Sequence, residues 1–121
     1  IRLPMVGNSN DTMNLGNKLV PGTTVIQMEA TVDELINSTG DTLKRVRKEL
    51  TTEPGAYFLV HCGGRKLGIG NRLEEVHKQL VKEAKGVPFI CIFTFGEYGY
   101  REHSANTCGG LMLSFTGFGK E

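Results

Sequence analysis

Between Tyr57 and Phe95 the chain runs from one apolar strand, through an amphipathic helix, into a second apolar strand. Two strands joined by a helix form a crossover, and a crossover places them side by side and parallel in one sheet. A second helix lies upstream. Thr31-Val32-Asp33-Glu34 is a capping box, with a hydroxyl placed for an early backbone N–H and a carboxylate able to reach back. Val32, Leu35, Ile36, Leu43, Val46 and Leu50 then share one face, acidic residues open the helix, and Lys44 to Lys48 bring basic charge near its end. Gly40 interrupts this helix without ending its periodicity.

The remaining elements fall around these helices. Ile1, Leu3 and Met5, the turn cluster Asn8 to Asp11, and Met13 with Leu15 predict a hairpin within the first 22 residues. Thr23 to Ala30 predicts a strand, β-branched at its start and alternating at its end. In Tyr57 to Cys62, alternation places Phe58, Val60 and Cys62 on the core-like face and Tyr57, Leu59 and His61 on the other. Asn71-Arg72-Leu73-Glu74 predicts a box-like cap for the second helix, and Gly86 with Pro88 ends it. The unbroken run Phe89 to Phe93 predicts a strand buried on both faces, at the centre of the sheet. A polar loop, Tyr98 to Thr107, leads to a last strand, Leu111 to Phe118.

The expected fold is α/β (or α+β): a mixed sheet of five to six strands with two main helices, ordered strand-helix-strand-helix-strand-strand after an N-terminal hairpin. The 121 residues are expected to form a single domain, with 39% hydrophobic and 22% charged residues. A net charge of +1 gives no polyanion-binding surface, so nucleic acid is not an expected partner. The longest apolar run, Val87 to Phe95, is too short for a bilayer, so neither is a membrane. Three cysteines without C-x-x-C spacing predict free thiols in a reducing compartment, hence the cytoplasm. Ile1 in place of an initiator Met is what a piece of a longer chain would show.

Both strands of the crossover end in glycine and charge: Cys62-Gly63-Gly64-Arg65 and Gly96-Glu97. If they are parallel, both ends lie on one rim, where open α/β sheets bind ligands. The candidate ligand-binding residues are Cys62, Gly63, Gly64, Arg65, Gly96, Glu97, His103 and Asn106. Arg65 offers a charged fork for a carboxylate or phosphate, and Glu97 an acceptor for an amine; the plain alternative is an ion pair between them. Cys62 reads as a small buried thiol or, if activated by Arg65 and a histidine, as a nucleophile. Neither a metal nor a cofactor is called for by any spacing.

The ordered pieces His61-Cys62-Gly63-Gly64-Arg65, a capped helix, Gly86-Val87-Pro88-Phe89, Thr94-Phe95-Gly96-Glu97 and Asn106-Thr107 resemble the C-terminal half of the FIST family of sensory domains. Pro21-Gly22 and Asp33-Glu34-Leu35-Ile36 extend the resemblance over most of the chain. It implies a non-enzymatic, intracellular signal-input domain that senses a small metabolite such as an amino acid. It also implies an N-terminal sensory half and a signalling output domain as partners, and a site shared between the halves would be incomplete in this stretch. Two other classes stay open: a thiol-dependent enzyme using Cys62, and a protein-interaction or homo-oligomerisation domain using an open sheet edge or a bare sheet face.

Overall fold

The computed structural model describes residues 1–100 and 107–121. Its centre is a three-stranded mixed sheet. The middle strand, β3 (Pro54–Cys62), is flanked on one side by β4 (Phe89–Thr94) and on the other by β7 (Leu113–Gly119). β4 runs parallel to β3, with Tyr57 opposite Phe89 and Cys62 opposite Thr94; β7 runs antiparallel. The crossover therefore forms as expected, but β4 is an edge strand and β3 is the centre. An apolar run reads as doubly buried from sequence alone, yet Ile90 remains 57% exposed on the face without helices. Two small antiparallel pairs complete the strands: β1 (Pro4–Gly7) with β2 (Met13–Leu15), and β5 (Glu97–Gly99) with β6 (Thr107–Gly109).

Helices cover one face of the sheet: α1 (Val32–Glu49), the short α2 (Gly63–Ile69) and α3 (Leu73–Ala84). Tyr57, Leu59 and His61 of β3 all point into that layer and are buried, with Ile36, Leu43, Ile69, Val76 and Leu80 around them. This reverses the expected faces of β3. Both of its alternating sets are apolar, so periodicity finds the alternation but not which side the helices take. Phe58, on the opposite side, is exposed, while Cys62 is buried there under the chain around Leu111.

The Thr31 capping box forms in full. Glu34 N donates to Thr31 Oγ1 at 3.2 Å and Thr31 N donates to Glu34 Oε2 at 2.7 Å, which holds the Glu34 carboxyl below its ordinary pKa. Gly40 is buried, in contact with α3 through Gln79. The second long helix differs from expectation at its start. A 3₁₀ turn, Gly70–Arg72, precedes it, and Arg72 occupies the N-cap position without a side-chain cap. Arg72 instead bonds Glu75 and Asp33, joining α3 to the first turn of α1. Lys85 and Gly86 both take positive φ where α3 ends.

Thr23 to Ala30 forms no strand. Its β-branched residues have no partner in the sheet, and Val25, Ile26 and Met28 are 64%, 84% and 75% exposed.

Candidate functional site

The carboxyl ends of β3 and β4 share one rim because the two strands are parallel and in register up to Cys62 and Thr94. At Cys62 the backbone turns directly into α2, a short helix beyond the two main ones expected from sequence. The sulfur is the reason. Cys62 Sγ accepts from Gly64 N at 3.3 Å, capping α2, and from Leu111 N at 3.2 Å, holding the segment before β7 against the rim. A Cβ on Gly64 would lie 2.8 Å from Leu111 Cδ2, so a larger residue there displaces the end of that side chain.

Arg65 points from the first turn of α2 toward α1. Its Nη2 donates to Leu35 O and to Ser38 Oγ, each at 2.7 Å. The residue is only 8% exposed, and Nε is buried with no acceptor among the described residues. An unmet buried donor costs about 1–3 kcal/mol, more when the group is charged. Burial pushes the Arg65 pKa down from its usual value, and the neighbouring Cys62 and Glu97 act against that shift.

Glu97, at the start of β5, is fully buried. Oε1 accepts from Thr94 Oγ1 at 3.2 Å and Oε2 from Met112 N at 3.3 Å. A carboxylate has roughly four acceptor positions, and among the described residues these two neutral donors fill only part of them. The alternative of an ion pair with Arg65 is not formed: no nitrogen of Arg65 is within bridging distance of Glu97. Helix α1 takes the outer end of the guanidinium instead. Two buried groups of opposite charge thus lie near one rim without touching.

His61 lies beneath the rim, within the helix layer. Nδ1 is 3.2 Å from Cys62 O, Nε2 is 3.4 Å from Thr39 Oγ1, and the ring meets Phe93 at 5.1 Å between centroids. A carbonyl only accepts, so the bond to Cys62 O puts the proton on Nδ1, while the one Thr39 hydroxyl proton is shared between Leu35 O, at 3.2 Å, and Nε2. Burial lowers the His61 pKa, the Cys62 carbonyl opposes that, and the Arg65 charge adds to it. The imidazole is therefore held neutral and faces away from the sulfur.

Of the residues singled out from sequence, Cys62, Gly63, Gly64, Arg65, Gly96 and Glu97 come to this rim, while His103 and Asn106 lie outside the described residues. Ser38, Thr39, Thr94, Leu111 and Met112 also shape it. Only Thr94, three residues before Glu97, had a local signal; the others arrive from distant parts of the chain. Among the described residues no three His, Cys, Asp or Glu side chains converge as a metal site, and the cysteines are free thiols.

A concavity of about 660 Å³ is elsewhere: Arg47, Leu50, Pro54, Ala84 and Val87 line it at the opposite end of β3. At ~3.3 Å per residue that is roughly 26 Å from Cys62. Its arginine is already engaged by the Glu83 carbonyl and, at 3.7 Å, by the Glu83 carboxylate.

These features define a two-layer α/β domain in which buried Thr39, His61, Arg65 and Glu97 gather at or beneath the carboxyl rim of its parallel strand pair. The sequence matches the FIST C domain family over residues 1–100, so the chain belongs to that family of sensory domains. Searches of curated proteins and of solved structures return no match. No described helix is long and apolar enough to cross a membrane.

Proposed function

We propose that this domain receives a signal by binding a small zwitterionic metabolite, such as an amino acid, at the rim between Arg65 and Glu97. One observation carries the reading: among the described residues, Arg65 Nε is a buried donor without an acceptor, and the Glu97 carboxylate is buried without a cation. A ligand carboxylate satisfies the first and a ligand ammonium the second, with charge-assisted bonds of greater strength than the neutral ones they join. The concavity at the far end offers volume but no comparable unmet charge.

Entry requires Leu111 and Met112 to move, and the bonds that hold them, to Cys62 Sγ and Glu97 Oε2, are long at 3.2 and 3.3 Å. Arg65 also links the rim to α1 through Leu35 and Ser38, so a ligand that reorients the guanidinium alters the seating of that helix. An N-terminal sensory half or an output domain would read that change. Free thiols suit such a protein to a reducing compartment, the cytoplasm. Cys62 acts here as a helix cap and an anchor for Leu111, not as a nucleophile.

The test is a thermal-shift screen of the free amino acids and their amides and esters. A ligand at 100 times its Kd adds about 2.7 kcal/mol, a rise on the order of 10 °C for a domain of this size. A hit whose amide or ester is inactive supports the reading, and a screen without a shift removes it.

A further inference from the structure

Two of the groups that the rim offers a ligand are already filled by consecutive residues of the chain itself. Met112 N donates to Glu97 Oε2 at 3.3 Å, where a ligand ammonium would donate. One residue earlier, the Leu111 side chain lies on the backbone of Gly64, its Cδ2 2.8 Å from where a Cβ would stand. A donor on the carboxylate and an isobutyl group on the glycine are what an aliphatic amino acid would present, with a peptide N–H in place of the ammonium. The third group is missing. The chain brings no acceptor to Arg65 Nε among the described residues, and the acceptor that such an amino acid adds is its carboxylate.

The segment holds this place at a cost. Leu111 has φ 58°, a left-handed backbone that crowds Cβ against the carbonyl oxygen. Its donors to the rim are neutral peptide groups, Leu111 N on Cys62 Sγ at 3.2 Å and Met112 N on Glu97. A ligand ammonium makes a charge-assisted bond to Glu97 that a neutral N–H does not match. Leu111 is half-buried and stands outside the hydrophobic core cluster, so its departure leaves the core intact.

Resting on the reading that the rim binds an amino acid, we propose that Leu111 and Met112 are an internal competitor for that site, and that the ligand carries an aliphatic side chain of about leucine's size. The ligand ammonium takes Glu97 Oε2 from Met112 N, its carboxylate accepts from Arg65 Nε, and its side chain replaces Leu111 against Gly64. Leu111 then returns to an ordinary negative φ. A polar side chain in that place loses its hydrogen bonds to water, a methyl group leaves a void, and an aromatic ring exceeds the space that an isobutyl group vacates.

Isothermal titration of L-leucine, L-alanine and L-glutamate into the wild type, Leu111→Ala and Leu111→Met tests this. Leucine is expected to bind the wild type at least about 10-fold more tightly than alanine or glutamate. Leu111→Ala keeps the cost of the left-handed backbone and removes the isobutyl group, so the open form is more populated and leucine is expected to bind at least about 5-fold more tightly. Leu111→Met fills the same space and is expected to stay within about 2-fold of the wild type. A residue that merely lined the site would weaken binding when truncated, so the sign of the change separates the two roles. Tighter binding of an amino acid from another class, or a leucine affinity that Leu111→Ala lowers or leaves unchanged, overturns the internal competitor and leaves the amino-acid reading standing. No binding of any free amino acid to any of the three proteins overturns both.

Discussion

Arg65 Nη2 lies 2.7 Å from the carbonyl oxygen of Leu35, so the guanidinium ties the start of α2 to the first turns of α1 across thirty residues of chain. Ser38 Oγ accepts from the same nitrogen. Hydrogen bonds to a charged group contribute about 1.5–3 kcal/mol, and Arg65→Ala is expected to lose roughly that in urea unfolding. Ser38→Ala should lose about 1 kcal/mol, because Leu35 still accepts. Equal losses would mean that the serine, not the carbonyl, is the main anchor.

His61 makes stability depend on pH. Its folded pKa is lowered from 6.5, chiefly by burial, so near neutrality the folded and unfolded states both leave it uncharged. Below about 6.5 the unfolded chain takes up a proton that the folded chain refuses, and stability falls as the pH drops toward the folded value. One such group contributes at most about 1.4 kcal/mol per pH unit. Denaturant midpoints at pH 7.5 and 5.5 should differ less in His61→Gln than in the wild type. An undiminished difference would assign the acid sensitivity to other groups.

Cys62 Sγ receives two backbone N–H groups. Cys62→Ser keeps an acceptor and should fold with little loss, whereas Cys62→Ala leaves Gly64 N and Leu111 N unmet and should cost about 1–3 kcal/mol. Alkylation followed by peptide mass spectrometry should modify the exposed Cys108 well before Cys62, which is 5% exposed. Faster labelling of Cys62 would contradict its structural role and favour thiol chemistry.

What sequence reveals here depends on how local the cause is. The Thr31–Glu34 box spans four residues and forms with both of its bonds, and the helix between two apolar runs forces the parallel pair that puts Cys62 and Thr94 on one rim. The faces of β3 were hidden because Tyr57, Leu59 and His61 alternate with the equally apolar Phe58, Val60 and Cys62. His61 becomes a core residue through Thr39 and Phe93, neither of which is near it in the chain. Helix α2 was hidden in Gly63-Gly64, which suggests a turn until the Cys62 sulfur supplies the cap. The separation of Arg65 from Glu97 depends on Leu35 and Ser38, and nothing near either residue announces it.

The central claim is that the charges of Arg65 and Glu97 together hold a zwitterion, and isothermal titration with an amino acid found by the thermal screen tests it most directly. Glu97→Gln keeps the shape and an acceptor for Met112 N, its amide donating to Thr94 Oγ1, whose proton then goes to Gly96 O, but it removes the charge facing the ligand ammonium. Wild-type binding that weakens at least about 10-fold in Glu97→Gln, with the unfolding midpoint of the free protein nearly unchanged, is the predicted result. Equal affinity in the two proteins would contradict the account and place the ligand away from this rim.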